Sequence, residues 1–264
     1  METLMGSSER RNLLSRLDRV WLGVIPFVAI GIVWFLLTYR GFIDQTFLPT
    51  MSAVVRAVVL VFAQEHYVGD VWISVYRVMG AFVLSAILAT PIGLLTGYSR
   101  KVADLVEPFV GFVRYLPVPA FVPLCILWFG LGDAAKIVVI FLGTFFQLII
   151  LISDVARAVP TDFFEAALTL GANQNELFFR VLWPASLPGL VSACRTAIGW
   201  AWTYLVVAEI AGATTGIGFR IMQAQRYIET PKVFAGIVVI GLLGMLTDMA
   251  FQVIQKISFP WQPR

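Results

Sequence analysis

Long apolar stretches are the sequence feature that most constrains the fold of this chain. A helix needs about 20 mostly apolar residues to cross the hydrocarbon core of a bilayer, and several such stretches occur in the 264 residues. Hydrophobic residues make up 59% of the chain and charged residues only 13%, whereas a typical soluble domain has roughly 25% charged residues. This balance excludes a soluble single domain, and it excludes disorder, which requires low hydrophobicity and high net charge. The sequence predicts an all-α membrane protein with several spans.

We predict one transmembrane domain at residues 20–264, preceded by a cytosolic amphipathic segment at residues 1–19. No small-x-small cleavage site follows the first apolar stretch, so we interpret it as a retained helix rather than a signal peptide. The short stretch Met51–Gln64 contains Arg56, and we interpret it as an amphipathic or interfacial helix; counting it as a span would place the N-terminal segment and the long polar loop on opposite sides. The six predicted spans cover residues 20–39, 78–99, 104–129, 134–153, 187–212 and 233–255.

The orientation is predicted from the lysines and arginines in short loops, which favour the cytosolic side. The excess is mild, and most of it comes from four arginines before the first span, Arg10, Arg11, Arg16 and Arg19. With the N-terminus inside and six spans, both termini are cytosolic. The long polar loop 154–186 then also faces the cytosol.

Residues that carry chemistry are few. His66 is the only histidine, which excludes a multi-histidine metal site and weakens any Ser-His or Cys-His triad. Cys125 and Cys194 lie in apolar stretches, which argues against a disulfide framework. No G-x-x-x-x-G-K-[ST] phosphate-binding loop occurs, and the net charge of +3 gives no indication of a nucleic-acid partner. We therefore expect neither an enzyme nor a metal centre, and any use of ATP would come through a partner.

The cytosolic loop predicts a pair of short helices. Pro160-Thr161-Asp162 is typical of a helix start, with the threonine or the aspartate as cap. Gly171 is expected to end this helix, and Asn173 or Asn175 can cap a second short helix that ends before Pro184. Because the pair is too small to hold its own core, it is either held by a partner protein or is a plain connecting loop.

The same loop contains a spaced motif. Glu165-Ala166-Ala167 is followed after three residues by Gly171, and after nine more by Val181-Leu182-Trp183-Pro184. This pattern resembles the EAA signature of ABC importer permeases, which reads E-A-A, three residues, G, nine residues, I-x-L-P; valine stands for isoleucine and tryptophan for leucine. The wider chain, from about residue 71 to 254, resembles the permeases for taurine, alkanesulfonates, nitrate and bicarbonate. The stretches that carry this likeness are 114–119, 127–130 and 208–210.

The resemblance implies a type I ABC importer permease fold in a bacterial inner membrane. Its expected partners are a second permease copy, two ATPase subunits that bind ATP and magnesium, and an extracytoplasmic substrate-binding protein; no cofactor is expected on this chain. The coupling residues would be Glu165, Ala166, Ala167, Gly171 and Pro184. Glu165 can either hydrogen-bond the ATPase or cap its own helix.

Charged residues inside predicted spans mark function or pairing. Arg195 and Asp248 lie at similar depth in two antiparallel helices, so we predict a structural ion pair between them. The alternatives are a contact from Arg195 to backbone carbonyls and a role in binding the substrate. Glu209 lies near the outer end of its helix. It is either a solvated interfacial acid, a partner for a neighbouring helix, or part of a gate or pathway.

A proline-broken stretch supplies the candidate substrate pathway. Arg114 and Tyr115 precede Pro117 and Pro119, and two prolines remove two backbone donors and break a helix. Broken helices at membrane depth are tolerated where protein or a water-filled cavity covers them, and an arginine beside the break suits an anion. A packing kink is the alternative. Trp200 beside a possible cavity, together with Glu209, completes the predicted pathway set.

Three functions remain after this reading. The first is an ABC importer permease that passes a small oxoanion by alternating access, or alternatively an aromatic heterocycle such as a vitamin precursor. The second is an ion-coupled secondary transporter with Asp248 or Glu209 as the proton relay, which leaves the cytosolic helix pair unexplained. A membrane-embedded enzyme is the weakest, because no nucleophile with an apparent base can be assembled from the sequence.

Overall fold

The computed structural model describes residues 24–39, 41–64 and 67–261, and every regular element in them is helical. The predicted N-terminal amphipathic segment at residues 1–19 lies outside this part of the chain. The ten helices are α1 Val24–Tyr39, α2 Met51–Gln64, α3 Tyr67–Tyr98, α4 Arg100–Val113, α5 Val118–Phe129, α6 Asp133–Arg157, α7 Thr161–Thr169, α8 Gln174–Ile210, α9 Ile217–Arg226 and α10 Thr230–Ser258.

Four of these helices, α3, α6, α8 and α10, are long and apolar enough to cross a membrane. Helices α4 and α5 meet that condition only as a pair, and they are bent by 92° at the break between them. The described part of α1 is about 24 Å long at 1.5 Å per residue, less than the roughly 30 Å of a bilayer core. The described residues therefore supply four or five candidate spans. The first of the six predicted spans, residues 20–39, lies only partly within them.

Helix α3 begins at Tyr67, well before the predicted start at residue 78. The prediction was wrong because Asp70 and Arg77 lower the apolar content of this stretch. Both residues lie inside the helix and are buried, at 7% and 3% exposure. Their charges are paired within the fold, so they do not end the helix.

The core lies where α3, α6 and α8 meet. Helix α3 packs most extensively on α6, and α6 packs on α8. Two glycines of α3 allow the close approach: a Cβ built on Gly93 would lie 2.7 Å from Ile152, and one on Gly97 would lie 2.5 Å from Ala156. The Gly93-x-x-x-Gly97 spacing thus serves packing inside one chain.

Helix α2 packs against α10 through Val54, Ala57 and Val61, which are buried. Its exposed side is also apolar, with Val55 and Val59 more than half exposed. The amphipathic pattern expected for this helix is therefore weak, because both of its faces carry apolar side chains.

Candidate coupling segment and passage

The predicted helix pair begins with α7, whose end is fixed by Gly171. Its φ of +84° is in the left-handed region that favours glycine. The Gly171 N–H donates to Leu168 O at 2.9 Å and the Ala172 N–H donates to Ala167 O at 3.0 Å, which is the Schellman arrangement. At the other end, Pro160 precedes the first residue and no side-chain cap is formed. The expected cap from Thr161 or Asp162 is therefore absent.

Helix α8 starts with a capping box on Asn173. Its Oδ1 accepts from the N–H groups of Asn175 and Glu176, each at 3.1 Å, while Glu176 Oε2 accepts from the Asn173 N–H at 3.0 Å. Backbone N–H groups in the first turn of α8, which have no partner within the helix, thereby gain hydrogen-bond acceptors.

The second helix does not end before Pro184, contrary to the prediction. Residues Leu177–Leu182 form a π-helical turn, and the Trp183 N–H donates to Phe178 O, five residues back. Such a wider turn relieves the clash between a proline ring and the carbonyl four residues earlier. The segment therefore runs directly into the span that ends at Ile210.

The segment of residues 161–184, which contains the predicted coupling residues and is called the coupling segment below, exposes large apolar side chains to solvent. No residue of α7 is buried, and the Glu165 side chain makes no hydrogen bond or ion pair with any residue that the structure describes. Of the two roles open for Glu165, capping its own helix is not seen. The strongly exposed apolar side chains are Phe163 (53%), Leu168 (51%), Leu170 (89%) and Phe179 (68%).

Tyr98, the last residue of α3, anchors this segment to the bundle. Its hydroxyl donates to Gln174 Oε1 at 2.7 Å, and its ring lies 5.7 Å from that of Phe178 and 6.2 Å from that of Phe164. Sequence reasoning did not identify Tyr98. The available signal was an aromatic residue at the end of a span, with further aromatics in the loop.

The α4–α5 break contains the predicted pathway residues. Arg114 lies over the Tyr115 ring, with its guanidinium carbon 4.9 Å from the ring centre, and its Nη2 donates to the Tyr115 hydroxyl at 3.0 Å. Arg114 Nε is buried without a partner in the described residues. Pro117 precedes α5 and Pro119 lies in its first turn, so the prolines begin a new helix. Tyr115 is 77% exposed.

The two residues predicted to pair, Arg195 and Asp248, lie within hydrogen-bond distance. Arg195 Nε donates to Asp248 Oδ1 at 2.5 Å and Nη2 donates to Oδ2 at 2.9 Å, which joins α8 to α10. Trp200 is half-buried against the core. Trp202 is buried, and its Nε1 donates to Thr247 Oγ1 at 3.1 Å.

A charged network at the opposite end of the bundle was not foreseen. Arg77 Nη1 donates to Glu209 Oε1 at 2.6 Å, and Arg77 Nη2 donates to Asp133 Oδ1 at 2.6 Å. Glu209 is completely buried and also accepts from Ser74 Oγ at 2.8 Å and the Gly218 N–H at 2.7 Å. Of the alternatives for Glu209, the solvated acid is excluded and the bond to a neighbouring helix is observed.

The network also holds the turn between α8 and α9. Asp70 accepts from the Gly216 N–H at 2.7 Å and from Arg220 Nε at 2.6 Å. Gly216 has φ +110°, and a Cβ on it would overlap the Glu209 carboxylate. Arg77 and Asp133 looked like loop charges in the sequence, because their partner lies more than 50 residues away in each case.

These features define a class of protein: a helical membrane bundle that presents a rigid, partly apolar helix pair outside its spans. The chain belongs to the family described as binding-protein-dependent transport system inner membrane component, whose model matches residues 89–257. It is thus a permease subunit of an ABC importer, a multi-pass inner-membrane protein that works with ATPase subunits and a binding protein and does not hydrolyse ATP itself.

Individual relatives agree with this assignment. A probable ABC transporter permease of Brucella abortus is 36% identical over 95% of this chain and 99% of its own length. A putative aliphatic sulfonates transport permease of Bacillus subtilis is 34% identical over 90% of this chain and 86% of its own length, and the taurine permease TauC of Escherichia coli is 27% identical over 92% and 90%.

The fold is similar to that of a solved transporter. A chain of the MetNI methionine ABC transporter, in an inward-facing conformation, superimposes with a TM-score of 0.65 and 23% identity, covering 72% of this chain and 94% of that one. At this identity the likeness establishes the fold alone, which is that of a type I importer permease.

Proposed function

We propose that this chain forms the transmembrane passage of an importer for small organic sulfonates, with taurine and aliphatic sulfonates as the substrate class. The support is that relatives covering at least 90% of this chain are named as permeases for those compounds. Nitrate and bicarbonate belong to the same broader class of small oxoanions. The single observation that carries the transport function is the exposed, rigidly held coupling segment.

The coupling segment docks on the ATPase through α7. Glu165, Ala166 and Ala167 face its groove, Gly171 sets the turn, and Pro184 with its π-helical turn transmits the movement into α8. Exposed apolar side chains on a polar segment favour a protein partner, since water solvates them poorly. Two copies of the chain, two ATPase subunits and one binding protein complete the transporter, with both termini of each copy in the cytosol.

Movement of α7 reaches the bundle by two routes. Helix α8 continues from the segment without interruption, and Tyr98 links the segment to the end of α3. Because α3 and α8 both pack on α6, a push on α7 tilts the three helices as a unit. Alternating access follows from that tilt.

The substrate passes the α4–α5 break. The 92° bend leaves backbone groups that need protein or water around them, and the buried Arg114 Nε has an unused donor. Buried polar groups are normally hydrogen-bonded, so an oxoanion or a water in the passage would satisfy it. The ring and the hydroxyl of Tyr115 hold the guanidinium in place.

A second substrate class has specific support. The formylaminopyrimidine transport permease ThiX of Halalkalibacterium halodurans is 30% identical over 69% of this chain and 72% of its own length. An aromatic heterocycle is therefore the competing substrate.

The experiment is uptake by native membrane vesicles that contain the tagged chain. An ATPase should copurify with the chain, and uptake of labelled taurine or an alkanesulfonate should require ATP and the binding protein. Uptake of formylaminopyrimidine in place of the sulfonates would favour the second class. Uptake driven by a proton or sodium gradient without ATP would contradict both.

A further inference from the structure

One face of α8 is polar where a membrane helix would ordinarily be apolar. The exposed positions in its middle part are Ser192, Thr196, Gly199 and Thr203. Their spacing of four, three and four residues places them on one face of the helix. None of them is a large apolar residue, whereas the exposed positions of α10 include Leu246 at 58% and Val253 at 54%. The exposed surface of α10 therefore suits contact with lipid, whereas the polar face of α8 does not.

The polar face of α8 continues onto α10 through three hydrogen-bonded links. Trp202 bonds Thr247, Arg195 bonds Asp248, and Gln255 Nε2 donates to Ser192 Oγ at 3.0 Å. Gln252 Nε2 adds a bond to Asp248 Oδ2 at 2.7 Å. The two helices therefore share one polar surface at several levels.

The ion pair in this surface is only half covered. The side chains of Arg195 and Asp248 are 37% and 39% exposed, and Arg195 lies in the middle part of the stretch of α8 that follows Pro184. Charged groups at the depth of the hydrocarbon core face the interior of a bundle or a water-filled cavity. A water-filled passage along this face would satisfy that requirement and would account for the serine and threonine positions.

The geometry of the pair leaves donors unused. Arg195 meets Asp248 with its Nε and Nη2 edge, and Nη1 donates to none of the described residues. A guanidinium carries five N–H donors in a rigid fork and binds oxoanions in a bidentate manner. The second edge, formed by Nη1 and Nη2, is therefore directed away from Asp248.

We propose that Arg195 binds the anionic head group of the transported solute through its Nη1 and Nη2 edge, with Asp248 as the residue that positions it. This rests on the proposed function, in which that solute is a sulfonate. Because the pair is neutral overall, binding is weak, and a passage needs sites that the solute can leave as well as enter.

The first test measures water and anion access without using the substrate. Gly199 is four residues from Arg195 on the same face, and a Cβ there meets no atom within 4 Å, so Gly199→Cys fits. Leu246→Cys, on the face of α10 opposite Asp248, is the matched control. Both are made in a chain whose Cys125 and Cys194 are replaced by alanine, and each is treated with a sulfonate-bearing and a trimethylammonium-bearing methanethiosulfonate in native membrane vesicles.

We expect the cysteine at position 199 to react at least tenfold faster than the one at 246. Adding Arg195→Gln should lower the ratio of anionic to cationic reaction rates at least threefold, and adding Asp248→Asn should raise it. A pair shielded from the aqueous face would leave this ratio unchanged in both variants, and that result would contradict the proposal. Equal, slow labelling at the two positions would mean that another protein surface packs on this face, and it would overturn the proposal.

The second test measures uptake of taurine or an alkanesulfonate together with ATP hydrolysis. Arg195→Gln should lower uptake at least tenfold while hydrolysis stays within twofold of the wild type, and Arg195→Lys should retain part of the uptake. Exchange of the two residues, Arg195→Asp with Asp248→Arg, should not restore uptake. Restoration by this exchange, or normal uptake by Arg195→Gln, would contradict the proposal.

The two failures are distinguishable. If the wild type imports no sulfonate, the proposed function fails, and the labelling ratio at position 199 still decides whether Arg195 attracts anions. If the wild type imports sulfonate and the ratio does not change with Arg195→Gln, the proposal alone fails.

Discussion

The two ends of the bundle use polar residues in opposite ways. The coupling segment, residues 161–184, leaves Leu170 89% exposed and the Glu165 side chain without a bond among the described residues. The charged network at the opposite end buries Arg77 and Glu209 and satisfies both within the chain. The charged groups of the second end are satisfied by other described residues, whereas the apolar side chains of the first end stay exposed. In the proposed mechanism the first end serves coupling and the second serves rigidity.

The largest expected effect comes from the end of the bundle that contains the buried pair of Arg77 and Glu209. Glu209→Ala leaves the buried Arg77 without its buried partner, and breaking a buried pair in this way destabilises a protein by about 3–5 kcal/mol. We expect the variant to fall to a small fraction of the wild-type level in membranes, measured by quantitative blotting and by thermal aggregation in detergent.

Asp133→Asn is the matched control for that prediction. Asp133 also bonds Arg77, but it is half exposed, so water can replace it. A loss of stability as large as that of Glu209→Ala would mean that burial does not decide the effect.

The second prediction concerns Gly171. A β-branched residue is strained at φ +84°, so Gly171→Val should deform the turn between α7 and α8 while the exposed segment leaves the bundle folded. We expect normal membrane levels and an uptake at least tenfold lower, with ATP hydrolysis no longer stimulated by the binding protein. Gly171→Asn, which tolerates the left-handed region, should keep most of the uptake. Equal activity in the two variants would contradict the role of this turn.

A smaller effect is expected at Tyr98. Tyr98→Phe removes the hydrogen bond to Gln174 and keeps both ring contacts, and a bond of this kind contributes about 0.5–1.5 kcal/mol. We expect uptake to fall about twofold to threefold with little change in thermal stability. Tyr98→Ala, which also removes the contacts with Phe164 and Phe178, should reduce uptake further; an uptake equal to that of Tyr98→Phe would show that the rings transmit nothing.

The smallest effect is expected at the exposed pair between Glu107 and Arg157, which joins α4 to the C-terminal end of α6. Exposed ion pairs contribute about 0–1 kcal/mol. Arg157→Gln should therefore leave thermal stability nearly unchanged and should change uptake by less than twofold. A large loss of uptake at normal stability would place this pair in the coupling route beside Tyr98.

Local signals predicted the turn between α7 and α8. Gly171 ends α7 and Asn173 caps α8, as their positions indicate, since both depend on backbone geometry within a few residues. The run through Pro184 was missed because the π-helical turn that accommodates it has no distinct residue signal. The predicted side-chain cap at the start of α7 is absent, because Pro160 occupies the capping position and has no side-chain acceptor.

Pairing between residues distant in sequence limited the prediction of the other charged sites. The predicted span at residues 78–99 left out Asp70 and Arg77, because a charge in an apolar stretch indicates the end of a span unless its partner is known. Those partners, Gly216 and Glu209, are more than 130 residues away. Arg195 and Asp248 were paired from depth alone, since two antiparallel spans leave few candidates at one level.

The central claim is that residues 161–184 dock on an ATPase, and Leu170 tests it most directly. A photo-crosslinking amino acid at position 170, the most exposed apolar side chain of the segment, should form an adduct with an ATPase subunit in native membranes. The adduct should weaken when Gly171→Val is added. An uptake-competent transporter that forms no such adduct, or in which position 170 reacts with a membrane-impermeant reagent applied from the external face, would contradict the account.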